Sequence, residues 1–189
     1  MLISGREAVR ILLTRGAMTG EAQARGLLRA GAAGPGVIAD TGVLFERDAV
    51  IELADLPWLS RSAQDDACPR GSYLARLPRT TSVDLTRPWA EIAQEVSPIP
   101  AMPAMTTALL AVSIRAAGRL PWVATLHGFV VLGGDLSGIR VDEQGVPRFR
   151  LEPPGEWFAT WRHRRVALSR GGRPWVINRG VIEPRDRAG

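Results

Sequence analysis

Along residues 6–31 the apolar positions recur every three or four residues on both sides of a short break. In "REAVRILL" Val9, Leu12 and Leu13 fall on one helical face, Ser4 stands where an N-cap is expected, and Gly16 ends the run. In "GEAQARGLLRA" Ala24, Leu27 and Leu28 form the apolar stripe, with Thr19 placed to cap the helix and Gly31 to end it in the left-handed conformation. "GVIADTGVLF" predicts two short strands about an Asp40-Thr41-Gly42 turn, and "ERDAVIELADL" a helix through Val50, Ile51 and Leu53, stopped by Pro57. The predicted order is helix, helix, hairpin, helix.

Beyond residue 60 the pattern changes. "SRSAQDDACPRGS" reads as a polar connector, and "RPWAEIAQEV" as a helix with Thr86 as cap and Pro88 in its first turn. "SPIPAMPAM" is an extended proline-rich joint in which Met102 and Met105 serve packing. "TTALLAVSIRAAG" is apolar on most sides and predicts a buried helix. Strand signals follow in "WVATLHGFVVL", in "GIRVDEQGVPRFRL" with a turn at Asp142–Gly145, and in "RRVALSRGGRPWVIN" with a turn at Gly171-Gly172. "EWFATWRHRR" fits a helix or a strand, with Trp157 and Trp161 sharing a face in either. Five of the six tryptophans lie beyond residue 60 and Trp58 sits at the join, so the second region needs a core of its own. The expectation is an α+β chain in two domains: 1–60, then a connector over 61–105 holding one helix and the proline joint, then a β-rich domain over 106–189 with one buried helix and a basic tail.

Composition narrows the function classes. With 189 residues, 46% hydrophobic and 23% charged, the chain has a globular profile. A single cysteine, Cys68, excludes an internal disulfide and a cysteine-based zinc site, and two histidines add little, so neither metal nor cofactor is expected. Arg6 and Arg10 interrupt any leader-like apolar run, and "LPWVATLHGFVVLGG" is too short for a membrane span. A cytoplasmic protein with no membrane partner is the expectation. All 24 basic side chains are arginine, which codon bias in a GC-rich genome explains as well as any need for forked donors. Residues 1–39 carry five arginines and two acids, 40–60 one arginine and five acids, 61–156 ten of each, and 157–189 eight arginines and two acids. Two positive zones thus flank a neutral middle, a layout that suits a polyanion.

The first 56 or so residues resemble the winged helix-turn-helix shared by MerR-type regulators and phage excisionases. "REAVRILL" is similar to the family's first helix, and "MTGEAQARGLLRAG" sits where the family places the helix that enters the major groove. "GVIADTGVLFERDAVIEL" resembles the wing strand and the helix packed beneath it, with Phe45 near the usual wing aromatic and Arg47-Asp48 opening the helix. The resemblance implies DNA binding through the second helix, the wing and basic side chains on phosphates. Two features depart from it. Val43, Leu44 and Phe45 are apolar where the family's wing carries an Arg-x-Tyr pair, and no long coiled-coil helix follows.

The residues can be assigned roles without the family. In a helix over 20–30, Arg25 and Arg29 lie four apart, Glu21 leads the row of Arg25, and Gln23 is expected opposite Leu27 and Leu28. Arginine pairs with guanine and glutamine with adenine in the major groove. Arg6, Arg10 and Arg15 would hold phosphates, with Thr19 at the head of the reading helix. A second patch combines Arg162, Arg164 and Arg165 with Trp161 and His163, either gripping phosphates while the indole stacks on a base, or forming a hairpin with exposed arginines and a buried tryptophan. His127, in an apolar strand, precedes Asp135 and Ser137, but "GGDLSG" lacks a nucleophile elbow and has no lysine to make a phosphate loop, so no catalytic site is expected. Cys68 has no neighbouring histidine to activate it.

The expected function is sequence-specific binding of double-stranded DNA in transcriptional regulation, the second region dimerising, sensing a ligand or meeting a protein partner. The alternative is a non-enzymatic interaction adaptor whose helical hairpin is structural. Its mark would be burial of Arg25 and Arg29, or of the Gln23 face, against the rest of the chain.

Overall fold

The computed structural model describes residues 1–40, 42–78, 83–99, 102–167 and 174–178. Among these the chain is mixed α+β, with seven helices and two sheets. Strand β1 (Leu2–Ser4) leads into α1 (Gly5–Thr14), whose first turn is capped as expected by Ser4, its Oγ accepting from the Glu7 amide at 3.2 Å. A turn through Gly16 (φ +67°) leads to α2 (Glu21–Arg29). The N-cap of α2 is Gly20 rather than Thr19, whose hydroxyl instead faces Gln23 Oε1 at 3.5 Å. Strands β2 (Val37–Ala39) and β3 (Gly42–Glu46) form the expected hairpin, and β1 completes an antiparallel sheet in the order β1-β3-β2. Helix α3 (Arg47–Ala54) follows directly. Leu12, Ala24, Leu27 and Val50 are fully buried between the three helices, with Phe45 and Ile3 closing the sheet side.

The stretch expected to be a connector is part of the second fold. "RSAQDDA" forms α4 (Arg61–Ala67), capped by Ser60, and "SYLAR" forms β4 (Ser72–Arg76). β4 lies inside a five-stranded sheet of order β7-β6-β5-β4-β8, formed with β5 (Leu120–Leu126), β6 (Phe129–Val141), β7 (Pro147–Glu152) and β8 (Trp175–Asn178). β4 and β5 run parallel, and the other pairings are antiparallel. The parallel pair requires a crossover, which carries α5 (Trp89–Val96) and α6 (Ala104–Ala117). Proline at 88, not Thr86, caps α5. Alternation along the strands then serves two cores: Tyr73, Ala75, Trp122 and Ala124 meet α5 and α6, while Leu74 and Val123 face α4 and the short α7 (Phe158–Trp161).

Three further expectations change. Helix α6 is not buried; only Leu110, Ser113 and Ile114 are, because it is an outer layer over the sheet. The segment 164–166 does not pair with β8. Val130 and Leu59 donate their amides to the carbonyls of Arg164 and Arg165, whereas β8 pairs with β4; the Gly171-Gly172 turn itself lies outside the described residues. His127 is not within a strand. With Gly128 it forms the two-residue turn between β5 and β6, both at positive φ (53° and 89°), the conformation that suits a tight hairpin. The Asp142–Gly145 turn is as expected, Asp142 Oδ1 accepting the Gln144 and Val146 amides while Oδ2 takes the Arg148 guanidinium.

The first unit does not stand apart. Leu126 and Phe129 join its core, and Leu85 donates its amide to the Ala30 carbonyl at 2.8 Å, at the end of α2. Gly31 there has φ +78°, and a Cβ on it would lie 2.7 Å from Thr86 Cγ2. Gly31→Ala should therefore cost about 1–3 kcal/mol. Gly34→Ala is the comparison, with φ +85° but open space around it. The urea midpoint of Gly31→Ala should fall below that of Gly34→Ala, and equal midpoints would refute a tight seam at Gly31.

Candidate nucleic-acid interface

The outer sides of α1 and α2, with Val43 and Phe45 of the central strand β3, enclose an open groove of about 1110 Å³. Arg6 and Arg10 enter it from α1, and Arg25 and Arg29 from α2, one turn apart. Its floor is apolar, made by Val9, Leu13, Leu28, Val43 and Phe45. Two carboxylates also line it, and both are engaged: Glu21 with Arg25 at 2.8 Å and Glu7 with Arg10 at 3.7 Å. Among the described residues Arg6 and Arg29 have no acidic partner within bonding distance. Arg29 donates to the Arg25 carbonyl, at 3.4 Å. All four arginines are exposed, so each pays little desolvation and the groove keeps a net positive field. None of the acids of residues 40–60 lines it. The first amides of α2 receive no side-chain cap, which leaves that positive helix end open as well.

The other expected residues are distributed differently. Arg15 caps the end of α1 and is bound by Asp55 at the end of α3, so its charge is spent on joining two helices. Gln23 does not lie opposite Leu27 and Leu28. It sits beside Gly26 and Leu27, half-buried, on the side of α2 that turns toward the rest of the chain. The His127 side chain lies on this side: a Cβ on Gly26 would stand 3.5 Å from its Nε2, an ordinary van der Waals distance. The Gln23 face thus carries the mark of the adaptor alternative, whereas Arg25 and Arg29 do not.

The arginine-tryptophan patch of residues 161–165 is not assembled, and none of it lines the groove. Trp161 is fully buried among Cys68, Val123 and Val166, so it has no face to stack on a base. Arg162 is exposed and lies over the Phe158 ring at 5.8 Å, and Arg164 is half-buried. Arg165 turns inward. Its guanidinium lies over Trp58 at 4.1 Å and Phe129 at 5.1 Å, and donates to the Ala17 carbonyl at 2.9 Å. Burial pulls its pKa below the ordinary arginine value. It is a clip between the β-sheet unit and the α1–α2 turn, not a phosphate contact.

Sequence reasoning placed Val9 and Leu28 in the core, where they are buried, and missed the packing of the β5–β6 turn beside Gly26. Gly26 was itself the available signal, since a glycine inside a helix costs about 1 kcal/mol and calls for a packing reason.

Asp135 and Cys68, two further candidates, are held within the fold. Asp135 accepts from the Trp157 indole at 2.7 Å and lies 3.7 Å from Arg119, so it is occupied structurally. Burial pushes the Cys68 thiol up to about 11, against the opposing pull of the Trp161 indole. Among the described residues no cluster of three or more histidine, cysteine, aspartate or glutamate side chains could hold a metal, and no helix is long and apolar enough to cross a membrane. Comparison with protein families, curated proteins and solved structures finds no match to this chain.

Two outcomes are expected. Arg165→Met, which keeps the length but removes the charged donor and the cation–π contact, should lose about 2 kcal/mol of stability in urea titration; an unchanged midpoint would remove the clip. Cys68 should stay protonated below pH 9, so native protein should resist alkylation at pH 8 that urea-unfolded protein undergoes at once. Because the folded thiol is held above its unfolded value of 9.0, the stability it contributes is complete below that pH and declines as pH rises toward about 11.

Proposed function

We propose that the chain is a sequence-specific double-stranded DNA-binding protein, a cytoplasmic transcriptional regulator, whose residues 1–56 act as a winged helix-turn-helix of the kind found in MerR-type regulators and excisionases. The observation that carries this reading is the pair Arg25 and Arg29 on the open face of α2, flanked by Arg6 and Arg10 and facing away from the rest of the chain. α2 has nine residues, and a helix about 10–12 Å across its side chains fits a major groove about 12 Å wide. Arg29, free of carboxylates, is the better base reader. Arg25 would exchange Glu21 for guanine or phosphate on docking, an exposed i,i+4 pair being worth only about 0.5 kcal/mol. Arg6 and Arg10 would hold the backbone, and the uncapped end of α2 would accept a phosphate. The wing of this reading is the β2–β3 hairpin, whose Ile38 and Val43 pair across the strands and are exposed. It would touch sugar and methyl groups rather than phosphates.

One observation favours a second reading. A groove with an apolar floor and arginine rims also suits an acidic amphipathic peptide helix, which would make the protein an interaction adaptor.

Fluorescence anisotropy on genomic fragments at several salt concentrations separates the two. DNA binding should weaken with salt, and the double variant Arg25→Ala/Arg29→Ala should bind at least about tenfold more weakly, with the log–log salt slope smaller by about 2. Arg162→Ala/Arg164→Ala should leave the slope unchanged. Weak binding that is indifferent to sequence at moderate salt would overturn sequence-specific regulation.

A further inference from the structure

We infer that Glu21 is a specificity-determining residue of the cationic groove: it reads cytosine beside the guanine that Arg25 takes, and the two side chains together select a G·C base pair. This rests on the proposed duplex binding. Glu21 and Arg25 both line the groove from α2, and their side chains are 64% and 61% exposed, so neither is fixed there by packing. Arg25 Nη2 donates to Glu21 Oε2 at 2.8 Å. A guanidinium has five N–H donors and a carboxylate two acceptor oxygens, so this bond uses only part of each group. Glu21 stands in the first turn of α2, the end of a reading helix that meets base edges.

The hydrogen-bond pattern selects the base pair. The major-groove edge of G·C offers two acceptors on guanine, N7 and O6, and then the N4 amino donor of cytosine. Arg25 and Glu21 present the complement, parallel donors followed by an acceptor. An A·T edge runs acceptor, donor, acceptor and ends in a methyl group. Adenine N6 therefore satisfies Glu21 only where Arg25 loses its second acceptor. The two charged heads lie 2.8 Å apart, within one base-pair step of about 3.4 Å, so both address the same pair.

Charge makes the condition strict. When Arg25 leaves Glu21 for guanine, the carboxylate is left in a groove of phosphates, where only an amino group of a base can donate to it. Burying it against DNA without a donor costs more than an exposed ion pair returns. A site that lacks the cytosine is thus penalised, and the penalty is the selectivity. Glu21 also stands four residues ahead of Arg25, the order that supports an isolated helix. That role acts on stability alone and is indifferent to base sequence, so the two are separable.

The experiment compares the full chain with Glu21→Ala, alanine being the strongest helix former. Duplexes that the unsubstituted protein enriches from a random library are resynthesised with N4-methylcytosine at each cytosine in turn. The modified base still pairs with guanine but carries a methyl group in place of its major-groove N4 hydrogen. At one cytosine the modification should weaken the unsubstituted protein about tenfold and Glu21→Ala by less than about twofold. On random duplex Glu21→Ala should bind about fivefold more tightly, with a log–log salt slope steeper by about 1, because Arg25 is released to a phosphate. Equal weakening of both proteins at every cytosine would overturn the inference, as would enrichment of the same sequence by both. If the unsubstituted protein enriches no sequence, the duplex reading itself fails and this inference with it, so the two failures are told apart.

Discussion

The arrangement depends on one seam, where the inner side of the α1–α2 hairpin is held by the β-sheet unit. Arg165 reaches over Trp58 and Phe129 to the Ala17 carbonyl, the β5–β6 turn sets His127 against Gly26, and Leu85 closes the end of α2 on Ala30. Each contact is small, but all three fall on the same side of the hairpin and use groups with little freedom: a stacked guanidinium, a glycine and two backbone amides. A helix pair of ten and nine residues is too short to be stable alone in water, where isolated helices need about 12–15 residues. The core shared with α3 and the small sheet supplies most of the missing burial, and the seam adds Leu126 and Phe129 to it and closes the inner side of the hairpin.

That division explains how the charges are used. Arginines whose carbon stems reach the seam or a neighbouring helix are neutralised or stacked, as Arg15 is by Asp55 and Arg165 by aromatic rings. Arginines on the far side keep their hydration and their field. The acids of residues 40–60 lie outside the groove: Asp55 neutralises Arg15, and the four groove arginines are left clear of that block. The charge blocks of the sequence are thus rearranged in space, with the groove arginines kept clear of the acids of residues 40–60.

Much of the fold was legible because period and punctuation agree locally. Ser4, Gly16 and Gly31 bound α1 and α2 where their chemistry demands, and the alternation about Asp142–Gly145 gives the β6–β7 hairpin directly. What was not legible depends on contacts distant in sequence. "SYLAR" has too few residues to declare itself a central strand, and becomes one only because β5 and β8 flank it. The end of "RRVALSRGGRPWVIN" resembles a hairpin, yet its first arm finds better partners in residues 57–59 and 128–130. At the site, Arg25 and Arg29 were readable from helical spacing, whereas Arg165 was not, since no local pattern tells a stacked arginine from a solvated one. Gln23 was misplaced because the buried arc of α2 is wider than Leu27 and Leu28 alone define: Ala24 and Ala30 extend it, and Gly26 lets His127 approach its flank.

The same seam argues against treating the two units as independent modules. A helix that reads a duplex must hold its side chains within a fraction of an ångström of the base edges, and α2 is fixed at its middle and its end by the β-sheet unit rather than by its own neighbours alone. The β5–β6 turn, between two central strands of the sheet, places the His127 imidazole beside Gly26. The sheet therefore does more than add mass: it is the rigid body against which the open face is aimed. The outer helix α6 packs on β5 and β6, the two strands that carry that turn.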